Sequence, residues 1–209
     1  MLLPRMTSPT PFRDLLALEG VEEHLVLRGP VGFMAYHGGS LEEMTDVIAS
    51  AAAERCDASY YGVVQPPHFN QHLPSHKVSA DESPALRQFV EHVDVVITIH
   101  GFGRHDMWTT LLLGGQNREL AEHVAAHLRP LLPDYTMETR VDAMPKELRG
   151  MHHLNPVNLP RHQGVQIELP PRVRGRSPIW RDWKGPGWTP HTEALIGGLA
   201  DAAAAWTDG

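Results

Sequence analysis

The chain has 209 residues, 42% hydrophobic and 21% charged, which is apolar enough for one globular core and too apolar for a disordered segment. Its formal net charge of -7 argues against a general nucleic-acid binder, and its single Cys56 excludes both an internal disulfide and a thiolate metal cluster. No apolar run approaches the roughly 20 residues that span a bilayer, and Met1 to Thr10 lacks the apolar centre of a signal peptide, so a cytoplasmic protein without a membrane partner is expected.

Short β-rich runs alternate with amphipathic helical ones from Leu25 to Leu169, the pattern of a layered α/β domain, and one domain over residues 1–209 accounts for it. The first expected strand, Val31 to Tyr36, runs into His37-Gly38-Gly39-Ser40-Leu41-Glu42. A helix is expected from Leu41 to Arg55, with Ser40 as N-cap and Glu43 completing a capping box. The two glycines let the backbone turn sharply, so that His37 and Glu42 face one point beyond the carboxyl edge of the sheet. The pair reads either as half of a metal site or as a strand-end histidine beside a carboxylate that complements the helix dipole.

Tyr60 to Val64 is the next expected strand. His68, His72 and His76 follow at intervals of four, but Pro66, Pro67 and Pro74 argue against a continuous helix that would align them. After a helix from Pro84 to His92, the strand Val95 to Ile99 delivers His100-Gly101 to the same edge in the style of His37-Gly38. Two histidines and a carboxylate with one position open to water form a common zinc ligand set, which makes His37, Glu42 and His100 the candidate ligands. Arg104, four residues on, is a candidate for polarising a substrate carbonyl.

Strands are expected at Trp108 to Leu113 and Tyr135 to Thr139, with a helix between them from Asn117 to Leu128; His123 and His127 read as its polar flank. In Val165 to Leu169, alternation puts Val165, Ile167 and Leu169 on one face and Gln166 with Glu168 on the other. A carboxylate late in an apolar strand is costly unless employed or paired, so Glu168 is either a general base beside a metal or the partner of a nearby arginine. Residues 140–184 carry a net charge of +5 on an otherwise acidic chain, which reads either as an attraction for an anionic ligand or as a solvated loop face; in the first case Arg172 and Arg174 are the candidates for gripping carboxylates. A Pro/Gly-rich loop over about 170–188 precedes a closing helix over about 189–206, with Thr189 as N-cap and Pro190 at its first position.

These motifs, in this order, resemble the phage and bacterial poly-γ-glutamate hydrolases, relatives of the zinc carboxypeptidases once catalogued as phage-related replication proteins. The resemblance runs from His37 to about Arg174. It rests on His37-Gly38-Gly39-Ser40-Leu41-Glu42 with Thr45 and Asp46, on His76 to Ser79, on His100-Gly101 and on Gly114-Gly115-Gln116-Asn117. Asn155-Pro156-Val157-Asn158 and Gly164 to Leu169 complete it, while Glu43-Met44 and Pro170-Pro171 depart from the family pattern. It implies a three-layer α/β/α fold with a mixed, mostly parallel sheet, a single Zn2+, and hydrolysis of a γ-glutamyl amide bond in an anionic polymer, with Asn155 and Asn158 as substrate contacts. Alternatives are a zinc amidohydrolase acting on another acylated amino acid or peptide amide, and a non-catalytic metal-binding or nucleic-acid-associated protein. The acidic charge and the lack of basic and aromatic stripes count against nucleic acid.

Overall fold

The computed structural model describes residues 11–207; Met1 to Thr10, where the signal-peptide reading falls, lies outside them. A seven-stranded mixed sheet in the order β1-β3-β2-β4-β7-β5-β6 forms the centre. Its strands are β1 (Glu22–Val26), β2 (Val31–Gly39), β3 (Ser59–Gln65), β4 (Val95–Gly101), β5 (Thr110–Gly114), β6 (Thr136–Glu138) and β7 (Gly164–Leu169). Neighbours β3, β2, β4 and β7 run parallel, β1 pairs antiparallel with β3, and β7 antiparallel with β5. The expected α/β class and mostly parallel sheet are therefore correct.

The helices are α1 (Phe12–Leu16), α2 (Thr45–Arg55), α3 (Pro84–His92), α4 (Arg118–Leu128) and α5 (Pro190–Ala205). Alternation along the strands sends Phe33, Ile97, Ile99, Val165 and Ile167 to one face, where they pack with buried residues of α2, α4 and α5. Met34, Tyr36, Tyr61, Val63 and Val96 go to the other face, against Phe12 and Leu15 of α1 and Leu86 and Phe89 of α3. Ser83, Asn117 and Thr189 each accept a backbone N–H as N-caps, which fixes the starts of α3, α4 and α5. Among the described residues no helix is long and apolar enough to cross a membrane.

Two expectations about local structure are corrected. The capping box at Ser40 and Glu43 does not form: α2 starts four residues later than expected, after Met44 in the left-handed region at φ 77°. The Ser40 hydroxyl instead donates to the carbonyls of Pro66 and Phe69, and residues 40–44 fold back as a turn closed by Glu42 N–H to His37 O at 2.9 Å. The edge strand β1 and the short α1 were not anticipated. The exposed, charge-rich Glu22-Glu23-His24 gives β1 no apolar signature of its own.

The chain passes from β2 to β3 on one side and then back to β4 on the other, so the boundary between β2 and β4 is a topological switch point. These strands pair from Val31 with Val95 as far as Met34 with Thr98 and no further, so no pairing joins their last residues, and a crevice opens there, where open α/β sheets hold ligands.

Candidate metal centre and active site

At that crevice β2 carries an irregularity. Ala35 pairs with Gly62 and Gly38 with Val64, so one extra residue is accommodated at Tyr36-His37. Such a bulge breaks strict alternation and re-aims side chains. Tyr36 and His37 consequently reach the same neighbourhood, each with its ring 4.8 to 4.9 Å from that of His100. Gly39, at φ +68°, makes the exit possible: a Cβ there would lie 2.1 Å from the Gln65 carbonyl oxygen. The turn that follows swings Glu42 back over the strand ends.

His37, Glu42 and His100 meet with one ligand atom each, all within 4.8 Å of one another. His37 Nδ1 is 2.8 Å from Glu42 Oε1, and His100 Nδ1 is 3.2 Å from Glu42 Oε2, which also accepts the Gly101 N–H at 2.8 Å. The far nitrogens are occupied. His37 Nε2 lies 2.9 Å from the Leu73 carbonyl, an oxygen that can only accept, so Nε2 carries a hydrogen and Nδ1 is the nitrogen left to face Glu42, donating to that carboxylate while it keeps its own proton. His100 Nε2 lies 2.9 Å from the Tyr36 hydroxyl. Two imidazoles and a carboxylate converging with their outer nitrogens anchored match the donor set and outer-shell pattern of a divalent metal site. Burial alone would raise the Glu42 carboxyl, but the charges of His37 and His100 outweigh it and hold Glu42 well below the usual carboxylate range. Burial would likewise lower His37, yet Glu42 raises it by charge and hydrogen bond. The carboxylate and the two imidazoles thus favour opposite charges on one another.

Glu168 stands beside this cluster because β4 and β7 are parallel and in register, pairing His100 with Glu168. It is 4% exposed, and burial, reinforced by the Glu42 charge, pushes its carboxyl up to about 7. Its partner is not an arginine: Gln166 Nε2 donates to Glu168 Oε1 at 2.8 Å. Among the described residues no arginine lies within ion-pair distance of Glu168, and Arg174 acts on it only through longer-range charge.

The ligand cluster and Glu168 line a cavity of about 850 Å³ whose other walls include His72, His76, Lys146, Arg149 and His152. The only other acid on its wall, Glu147, is paired with Arg104. Sequence reasoning missed Tyr36, Lys146 and Arg149, gave Gln166 no role beyond sharing the face of Glu168, and gave His72 and His76 no part in the site, although His76 enters the family resemblance. The prolines do prevent a helix over 66–74, but an extended segment followed by a short 3-10 turn at Ser75–Lys77 brings both histidines to the wall.

Other expected site residues lie elsewhere. Arg104 is half exposed and engaged with Glu147 at the cavity margin, not at the carbonyl-polarising position expected of it. Arg174 is a buried strut whose guanidinium donates to the carbonyls of Leu169, Glu43 and Phe102 at 3.2, 2.6 and 3.4 Å. Arg172 lies over the Tyr135 ring and 3.6 Å from Asp134, away from the cavity lining. Neither arginine presents itself to substrate, since both sit where the 170–188 segment packs onto the body. Asn158 also turns from the cavity: it accepts the Gln116 N–H and donates to the Gly150 and His152 carbonyls, pinning the loop that forms one wall. Asn155 does line the cavity, but its amide is engaged with Tyr36 and Gln166.

A seven-stranded mixed sheet covered by helices, with two histidines and two glutamates gathered at its strand ends, defines an α/β fold shared in outline with a metallo-carboxypeptidase. The model of the poly-gamma-glutamate hydrolase family matches residues 20–178, and the chain belongs to that family. A bacteriophage poly-gamma-glutamate hydrolase superposes with a TM-score of 0.78 at 19% identity, over 95% of this chain and 97% of that one. A structure described as "YNDL-apo (Zinc-free)" gives 0.70 at 17% identity, over 87% and 88% of the two chains. A metallo-carboxypeptidase from Burkholderia cenocepacia gives 0.51 at 13%, over 90% of this chain and 65% of that one. No curated protein matches the chain by sequence.

Proposed function

We propose that the protein cleaves γ-glutamyl amide bonds of poly-γ-glutamate with a single zinc ion held by His37, Glu42 and His100, and with Glu168 as general acid and base. The observation that carries this reading is the placement of Glu168 in register beside His100, with its carboxyl raised, in the cavity onto which the three ligands open. The zinc-free description of one structural neighbour supports the choice of metal. When bound, zinc would supply Lewis acidity to the amide carbonyl and to the attacking water.

The remaining work falls to the chain. One Glu168 oxygen is occupied by Gln166, which leaves the other to receive a proton as the water oxygen bonds to the carbonyl carbon. A carboxyl near 7 is a better base than an ordinary one, and its conjugate acid then gives that proton to the departing nitrogen as the C–N bond breaks. Each γ-linked glutamyl unit keeps a free α-carboxylate, and Lys146 on the cavity wall suits such anions, aided by the charge of Arg149, two of whose donors go to the Met144 and Asp142 carbonyls. The test is cleavage of γ-linked against α-linked polyglutamate, followed by release of new amine termini. Cleavage of the γ-polymer supports the reading; cleavage only of short neutral peptide amides contradicts it.

A further inference from the structure

The two halves of this proposed machinery are joined by an unbroken line of hydrogen bonds. His100 Nε2 meets the Tyr36 hydroxyl at 2.9 Å, the hydroxyl meets Asn155 Oδ1 at 3.0 Å, Asn155 Nδ2 meets Gln166 Oε1 at 2.8 Å, and Gln166 Nε2 meets Glu168 Oε1 at 2.8 Å. Tyr36, Asn155, Gln166 and both end groups are buried, so water does not substitute for any missing partner without cost.

The direction of the line is determined. The Val157 backbone N–H, 3.3 Å away, can only donate and identifies the Asn155 atom facing it as Oδ1. That oxygen then accepts the Tyr36 O–H, which leaves the tyrosine oxygen to accept His100 Nε2–H and leaves His100 Nδ1 as the nitrogen that faces Glu42. On the other side, Asn155 Nδ2 must donate to Gln166 Oε1, so Gln166 presents its own N–H to Glu168. Were Asn155 reversed, His100 would lose its acceptor and Glu168 would face an oxygen.

We infer that Asn155 is a positioning residue that orients the metal-facing nitrogen of His100 through Tyr36 and the proton-accepting carboxylate of Glu168 through Gln166. This inference rests on the zinc reading above. It moves Asn155 from the substrate contact implied by the family resemblance to a role behind the site.

Three variants separate the two arms. Tyr36→Phe removes the acceptor of His100 Nε2–H and leaves the Gln166 arm intact. Asn155→Asp keeps an acceptor for Tyr36 and for Val157 N–H but cannot donate to Gln166, which then turns its oxygen to Glu168. Asn155→Ala cuts both arms. Zinc affinity is read by chelator competition, the His100 tautomer by imidazole 15N shifts in the zinc-loaded protein, turnover by kcat and KM on γ-polymer, and folding by melting temperature.

Tyr36→Phe is expected to weaken zinc binding roughly 10- to 100-fold, the range for outer-shell changes, and to mix the His100 tautomers. Asn155→Asp is expected to hold zinc within about threefold of the parent and keep the parent tautomer while kcat falls at least about tenfold at unchanged KM. Asn155→Ala is expected to show both losses. Parent-like zinc affinity and kcat in all three, or equal loss of zinc affinity in Tyr36→Phe and Asn155→Asp, would overturn the inference, as would losses that only follow melting temperature. A parent protein that binds no zinc would overturn the zinc reading itself.

Discussion

Replacing Glu168 by glutamine should make the zinc-free protein more stable while it makes the enzyme worse. The carboxyl has an ordinary value of 4.5 and is pushed up to about 7 in the fold, chiefly by burial. A folded value above the unfolded one means that the folded state binds the proton more tightly. The stabilisation is complete below 4.5 and is lost as pH rises to about 7. The distance from 4.5 to about 7 corresponds to about 3 kcal/mol of stability given up by ionising this group at pH 8. Glutamine stays neutral, and its amide oxygen still accepts from Gln166, so the variant avoids that loss. Arg174 is not stranded by the change, because its donors go to three backbone carbonyls. Urea unfolding of zinc-free parent and Glu168→Gln from pH 4 to pH 8 should show a difference near zero at the acid end that grows to about 3 kcal/mol in favour of the variant at the alkaline end. Turnover of the zinc-loaded variant at pH 8 should fall by roughly 10²- to 10⁴-fold, mainly in kcat. A stability difference independent of pH, or a variant less stable at pH 8 with turnover intact, would refute this account of Glu168.

Other outcomes follow from the same geometry. Lys146→Ala should raise KM for the γ-polymer several-fold at low salt with little change in kcat, and the effect should shrink as salt screens it; a fall in kcat at constant KM would contradict the binding role. Arg174→Ala should cost about 3 kcal/mol or more in denaturant unfolding, because it leaves the Leu169, Glu43 and Phe102 carbonyls short of donors, and a stable variant with only a raised KM would restore the substrate-binding role expected from sequence. Gly39→Ala should fail to fold or lose several kcal/mol, since its Cβ would collide with the Gln65 backbone, and a parent-like melting temperature would contradict the turn geometry.

The chain displays the strand-end histidines and the alternating face of β7 openly, because each follows from period-two alternation and a glycine placed where the backbone turns. The same rule fails at Tyr36: strict alternation puts it opposite His37, and only the extra residue in β2 brings both side chains to one place. The start of α2 was misread for a related reason. Ser40 and Glu43 have the spacing of a capping box, but the contacts that Ser40 makes with Pro66 and Phe69 come from residues far along the chain and override the local preference. The late arginines looked like anion binders by composition, yet Arg174 is used up where the 170–188 loop returns to Glu43 and Phe102. Lys146 and Arg149 in the same basic segment reach the cavity instead, because of a loop path that spacing does not encode.

The central claim is that one zinc at His37, Glu42 and His100 makes this chain a γ-glutamyl hydrolase. The most direct measurement is the shortening of poly-γ-glutamate, followed by size-exclusion chromatography, as metal-depleted protein is titrated with zinc alongside His37→Ala and His100→Ala. Cleavage by the parent should rise in step with zinc to a plateau at about one equivalent, and neither variant should respond over that range. Full cleavage by the metal-depleted parent, or a parent-like zinc response in both variants, would contradict the account.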